Sequence, residues 1–275
     1  MACSNFVVGY IAKKIKLQAI IIFLIFESNS RLMLKHLSDF QLLYLDIETV
    51  SAYPSYFDMP ERIKLLWDKK AKTINYKGDL KPMELFNRSG IYSEFGKIVC
   101  ISVGYIVSDT LQLRIKSFYS DDEKKLLQAF ADLLNHHFKS PKYLLCAHNG
   151  KEFDFPYIAR RMLIQGVELP KLLDIAGKKP WEIQHIDTLE LWKFGDYKHY
   201  TSLDLLTAIF DIPSPKSDID GSQVNEVYWK QNDLQRIAEY CQNDVVATVQ
   251  LFHKYRGLNL LSEEQIEFAP LEEII

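Results

Sequence analysis

Gln41-Leu-Leu-Tyr-Leu-Asp-Ile-Glu48 carries five apolar residues ahead of a Thr-Val-Ser end. A short greasy run that gives way to polar residues reads as a buried strand, here 41–47. Side chains alternate along a strand, so Asp46 and Glu48 share one face at its carboxyl end, close enough to hold a common cation. Open α/β sheets place ligands at that edge. The spacing carries little by itself. The same acid-x-acid pattern recurs at Asp121/Glu123, Glu152/Asp154 and Asp218/Asp220, and a strand end calls for polar residues in any case. Only the position of the pair behind a buried strand sets it apart.

Outward from this strand the chain alternates. Lys97 to Val107 and Leu111 to Tyr119 are β-rich and separated by Ser-Asp-Thr, a hairpin pattern. Ser120-Asp-Asp-Glu predicts a capping box opening a helix, with Leu126, Phe130, Leu133 and Leu134 on its inner face. Tyr143 to Ala147 reads as a fourth strand, Phe153 to Gln165 as a helix after the Asn149-Gly150 turn, and His185-Ile-Asp-Thr-Leu as a fifth strand. A capped helix through Phe210 and a long closing helix from Asn232 to Lys254 complete the pattern. Residues 51–94 lack strand periodicity and contain a helix signature at Asp58-Met-Pro60. The prediction is one α/β domain, a mixed sheet with helices on its faces, spanning 40–258 with an insertion at about 51–94. Residues 259–275 read as a tail.

Composition excludes several classes. A chain of 275 residues with 48% hydrophobic content is globular rather than disordered. Lys and Arg total 33 against 36 acids, a net charge of -3, which argues against coating long duplex nucleic acid but not against an enzyme that needs its own carboxylates. The four cysteines show no CxxC pairing, which points to free thiols in a reducing, cytoplasmic compartment. Ahead of the fold, residues 1–39 read as an extension. Lys13, Lys14 and Lys16 precede the apolar run Leu17 to Phe26, which has the outline of a signal peptide. It is about half the ~20 residues that cross a bilayer, so no membrane partner is expected. Met33 is an alternative start.

Two further groups carry chemistry. Asn149-Gly-Lys-Glu-Phe-Asp154 follows the fourth strand, although an Asp at a helix start is more often a cap than a ligand. Tyr240 and Asp244 stand at i and i+4 on the closing helix, so a phenol and a carboxylate share a face. Taken in order, Asp-x-Glu, Asn-Gly-x-x-Phe-Asp and Tyr-x-x-x-Asp resemble the tyrosine-bearing branch of the DEDD superfamily of 3′–5′ exonucleases. Tyr200-Thr-Ser-Leu-Asp-Leu-Leu, Ser214-Pro-Lys-Ser-Asp-Ile-Asp-Gly-Ser and Tyr240-Cys-Gln-Asn-Asp-Val-Val-Ala-Thr are similar to phrases of the proofreading exonuclease domain of family-B DNA polymerases. The similarity covers about 41–255, which leaves no room for a polymerase, so the resemblance is to stand-alone bacterial exonucleases of this type.

The resemblance implies an RNase H-like sheet of five strands, the first three antiparallel and the last two parallel. It implies a single-stranded nucleic acid 3′ end as partner, DNA before RNA, and two divalent cations, Mg²⁺ or Mn²⁺. Its four acids fall on Asp46, Glu48, Asp154 and Asp244 and its tyrosine on Tyr240. Asp46 would bridge the ions, Glu48 and Asp244 would complete the first, and Asp154 would hold the second. Asn149 is a candidate contact for the terminal nucleotide. Phe153 and Phe155 are candidates for base stacking, with core packing the plainer alternative. Lys151, Arg160, Arg161 and Lys216 are candidate phosphate contacts, with a solvated surface as the alternative. The insertion's Tyr53, Tyr56, Phe57, Trp67, Lys69, Lys70 and Lys72 could line a strand channel, but helix packing with a solvated lysine face is the simpler expectation. His148 is expected to serve the turn rather than act as a base, and Asp187 to cap a helix. A non-catalytic nucleic-acid-binding module and a structure-specific endonuclease are the competing functions.

Overall fold

In the computed structural model, which describes residues 37–75, 78–196, 200–213 and 218–275, the chain divides into two units, Met1–Asp39 and Phe40–Ile275. The sheet belongs to the second. Its strand β1 (Leu42–Ser51) is buried almost throughout. Leu43, Leu45 and Ile47 pack on one side with Leu126, Phe130 and Ile158, while Val50 packs on the other with Ile237 and Cys241. A strand covered on both faces is apolar along most of its length, which leaves Asp46 and Glu48 as its charged exceptions.

Strands β2 (Gly96–Ile106) and β3 (Leu113–Tyr119) form the antiparallel hairpin beside β1. On the other side of β1, β4 (Leu144–Ala147) and then β5 (Ile186–Asp187) run parallel. The predicted α/β architecture therefore holds, with one correction to the strand count. Ile266–Phe268 pairs in parallel with β3 as a sixth strand, β6, giving the order β5-β4-β1-β2-β3-β6. Residues 259–275 are accordingly not a loose tail: Ala269 N–H donates to Ile115 O at 2.8 Å and Ile274 N–H to Tyr119 O at 3.0 Å. Three residues with no periodic partner carry too little pattern to announce a strand.

Helix α1 (Glu61–Ile74) lies in the insertion. It starts three residues later than Asp58, whose carboxylate instead takes the Ser55 hydroxyl at 2.6 Å. Helices α2 (Glu123–His137) and α3 (Asp154–Gln165) cover one face of the sheet. Asp122, rather than Ser120, caps α2 by accepting from Lys125 N–H. The fifth strand is only two residues long, because the Asp187 carboxylate accepts the Leu189 and Glu190 N–H groups and starts α4 (Thr188–Lys193). After α5 (Leu203–Ile209), the long helix α6 (Leu234–Arg256) lies across the opposite face, capped by Asp233 and closed by Gly257. Among the described residues no helix is long and apolar enough to cross a membrane.

Candidate active site

The β1–β2 register keeps Asp46 opposite Ser102 and Glu48 opposite Cys100 and breaks only after Glu48, where β2 carries the extra residue Val99. The alternation that aims both acids at one face thus survives up to the irregularity, and such bulges occur beside active sites. The pairing of β1 with β4 ends at Tyr44. Beyond that point Asp154, at the first turn of α3, lies near enough to the Ile47 N–H for that dipole to favour its charged form. A carboxylate from one element thus comes beside the strand that carries the two acids of another. From the opposite face α6 brings Tyr240 and Asp244, with the phenol donating to the carboxylate. One turn position away, Cys241 donates its thiol to Asp46 Oδ2 at 3.3 Å.

All five side chains line a single cleft of about 1190 Å³. Glu48 and Asp154 are buried, and Asp46, Tyr240 and Asp244 are half-buried. Burial, followed by the charges of Asp244 and Asp154, holds Asp46 well above the ordinary carboxylate range. Glu48 is raised in the same way, by burial and then by Asp46 and Asp244. Burial pushes Asp154 up to about 8, against two backbone N–H donors that favour its charged form. Asp244 rises to about 6, again through burial, with the Tyr240 hydrogen bond opposing. Burial and neighbouring acids thus hold all four carboxylates above their ordinary range, with Asp204 the charge that acts on Asp244, and a bound cation would relieve that crowding. Their hard oxygen donors fit divalent cations of the Mg²⁺ or Mn²⁺ kind. Asp46, Glu48 and Cys241 offer ligand atoms within 4.8 Å of one another, but burial raises the Cys241 thiol, so it stays protonated and serves as a donor to Asp46.

The neighbouring residues sort into those that reach the cleft and those that do not. Asn149 and Phe153 line it. Asn149 has φ 64°, and the bend is completed by Gly150, where a Cβ would lie 2.5 Å from that of Ala147. Phe155 is fully buried, so stacking on a base is closed to it. Lys151 pairs with Glu190 at 2.6 Å, and Arg160 is exposed away from the cleft lining. Arg161 is no phosphate contact: its buried guanidinium grips Glu123 through two nitrogens, at 2.8 and 2.5 Å. Lys216 lies outside the described residues. His148 has both ring nitrogens engaged, by Thr188 Oγ1 at 2.9 Å and Thr201 O at 3.0 Å, and burial lowers its pKa. Asp187 accepts four backbone N–H groups, from Asn149, Lys151, Leu189 and Glu190, which spends it on the scaffold.

The sequence profile of a family described as a predicted 3′-5′ exonuclease related to the exonuclease domain of PolB matches residues 91–269, about two thirds of the chain. The chain belongs to this family. A family B DNA polymerase from the hyperthermophilic archaeon Pyrobaculum calidifontis is similar at 16% identity over 78% of the chain, with a TM-score of 0.49. The chain spans about a quarter of that polymerase's length.

The stretch matched to the PolB-related exonuclease family contains Asp154, Tyr240 and Asp244 and begins after Asp46 and Glu48. Those two acids join the site through the geometry of β1. The structure also brings in residues to which the sequence reading assigned no role. Asn87, Arg88, Gly90 and Ile91 of the insertion form a wall of the cleft, and Tyr200 and Asp204 line it from the start of α5. The aromatic and lysine residues singled out in the insertion do not line it. Trp67 is fully buried against Phe86 and Phe95, and Lys70 lies 4.3 Å from the Tyr92 ring centre. Their composition suggested a channel, but burial of Trp67 needed only its helical spacing to Ala71.

Proposed function

We propose that this member of the PolB-related exonuclease family is a metal-dependent exonuclease that removes nucleotides from the 3′ end of single-stranded DNA, and less readily of RNA. The observation that carries the reading is the convergence of Asp46 and Glu48 from β1, Asp154 from α3, and Tyr240 and Asp244 from α6 on one cleft. A retired binding module has no use for four acids that destabilise one another. The buried thiols of Cys100 and Cys241 suit a reducing, cytoplasmic setting.

Asp46, Glu48, Asp154 and Asp244 would hold two divalent cations, which supply an activated water and neutralise charge on the leaving oxygen. The chain's own groups do the rest. Burial and the charges of Asp244, Glu48 and Asp46 raise the Tyr240 phenol above its usual value near 10, so it stays protonated. It therefore orients the attacking water by hydrogen bonding and does not remove its proton. The Ile47 N–H near Asp154 favours its charged form. His148 stays neutral and committed to the turn, so it is no alternative base. Asn149, held in its left-handed conformation, and Phe153 face the space where the terminal nucleotide would sit.

The test is digestion of 3′-labelled and 5′-labelled oligonucleotides by the full chain in Mg²⁺, Mn²⁺ or EDTA. Stepwise shortening from the 3′ end with metal and none with EDTA is expected. Asp46→Ala and Asp154→Ala should abolish it in folded protein, and Tyr240→Phe should slow it. No digestion with either metal overturns the reading in favour of a binding module, and internal cuts in a circular substrate overturn it in favour of an endonuclease.

A further inference from the structure

The cleft is strongly one-signed. Asp46, Glu48, Asp154, Asp204, Asp220 and Asp244 line it, and among the described residues a single cation, Arg88, faces them. Arg88 is exposed, and its guanidinium makes no hydrogen bond or ion pair with any described residue. An arginine next to six acids with none of them engaged is available for a ligand, and a planar guanidinium suits phosphate.

The wall that carries Arg88 is built to stay still. Two residues before it, Phe86 is buried against Trp67, with ring centres 6.3 Å apart. Two residues after it, Gly90 passes so close to β1 that a Cβ would lie 2.9 Å from the Val50 carbonyl carbon. The Tyr157 hydroxyl donates to Gly90 O at 2.6 Å and Arg161 Nη1 to Ser93 O at 2.8 Å, both buried. Tyr157 and Arg161 belong to α3, the helix that begins with Asp154. The insertion is thus bolted to the element that carries one of the acids, which fixes the backbone from which Arg88 projects.

We infer that the insertion is a substrate-binding wall, and that Arg88 contacts a backbone phosphate of the bound single strand. This rests on the nucleic-acid reading above and adds a binding residue to it. Divalent cations held by the acids would neutralise the reacting phosphate, so Arg88 serves another phosphate along the strand and its loss is felt in binding.

The test is fluorescence anisotropy of a 5′-fluorescein decathymidylate with the full chain in Ca²⁺ over a range of salt. Each phosphate neutralised on a single strand contributes about 0.7 to the slope of log affinity against log salt. Arg88→Ala should lower that slope by about 0.7 and weaken binding at low salt by about tenfold. Arg88→Lys should keep the slope and recover part of the affinity. In digestion assays Arg88→Ala should raise KM far more than it lowers kcat. An unchanged slope in folded Arg88→Ala protein, checked by circular dichroism, overturns the inference, as does a wild-type protein that does not bind the strand. Wild-type protein that binds with the Arg88-dependent slope but digests nothing would leave the wall standing and overturn only the exonuclease reading.

Discussion

Replacing Asp187 should separate an acid spent on the scaffold from the cleft acids proposed to hold cations. Its Oδ1 accepts from Asn149 N–H at 2.9 Å, Leu189 N–H at 2.9 Å and Glu190 N–H at 3.2 Å, and its Oδ2 accepts from Lys151 N–H at 3.0 Å. Asp187→Asn can keep the three bonds to Oδ1 but turns an amide donor toward the Lys151 N–H. One lost hydrogen bond plus one unsatisfied donor costs about 2 kcal/mol. Asp187→Ala strands all four donors and costs about 4 kcal/mol or more, short of the additive sum because the turn relaxes. For a domain of this size each kcal/mol moves Tm by about 2–4 °C. The assay is urea and thermal unfolding with and without Mg²⁺. Both variants should lose stability in that order and retain the wild-type increment in Tm on adding Mg²⁺. An Asp187→Asn protein as stable as wild type that no longer responds to Mg²⁺ would refute the reasoning and make Asp187 a ligand.

Mg²⁺ or Mn²⁺ should raise the Tm of the wild-type protein more at pH 8 than at pH 6. Asp154 and Asp244 titrate in the fold near 8 and 6, so protons compete with the cation at the lower pH, and a thermal-shift series against pH reads this directly. His185 provides a second term that also grows as pH rises. It accepts Leu145 N–H on Nδ1 and bonds Leu172 O through Nε2, and burial lowers its pKa to about 4. Stability from this group is complete above the unfolded value near 6.5 and is lost as pH falls toward 4. The gap between wild type and His185→Asn should therefore shrink by about 3 kcal/mol across that window in urea melts. Glu123→Gln should cost about 3–5 kcal/mol, because it leaves the buried Arg161 guanidinium without its charge partner, and chemical denaturation measures it.

Much of the site is legible because its parts are local. A buried strand ending in Asp46-x-Glu48, a turn into a helix at Asp154, and an i,i+4 pair on α6 each follow from backbone periodicity within a few residues. The turn roles of His148 and Asp187 are legible for the same reason, since both act within or next to a strand-to-helix connection. Arg161 shows the limit of such reading. Its sequence neighbours say nothing of Glu123, 38 positions away, which turns a candidate phosphate contact into a buried clamp. Arg88 shows the converse, an arginine in a stretch without periodicity that reaches the cleft only because Gly90 and Tyr157 fasten that stretch to β1 and α3. Short-range patterns by themselves determined five of the six strands, the main helices, and the local pairing of Asp46 with Glu48 and of Tyr240 with Asp244. Tertiary packing alone decided which elements meet, how far burial and neighbouring charge raise the carboxylates, and which cation faces the cleft without an acid partner. The reason is that period and capping act within a turn or two of chain, whereas desolvation and charge coupling depend on groups that become neighbours only when the sheet closes.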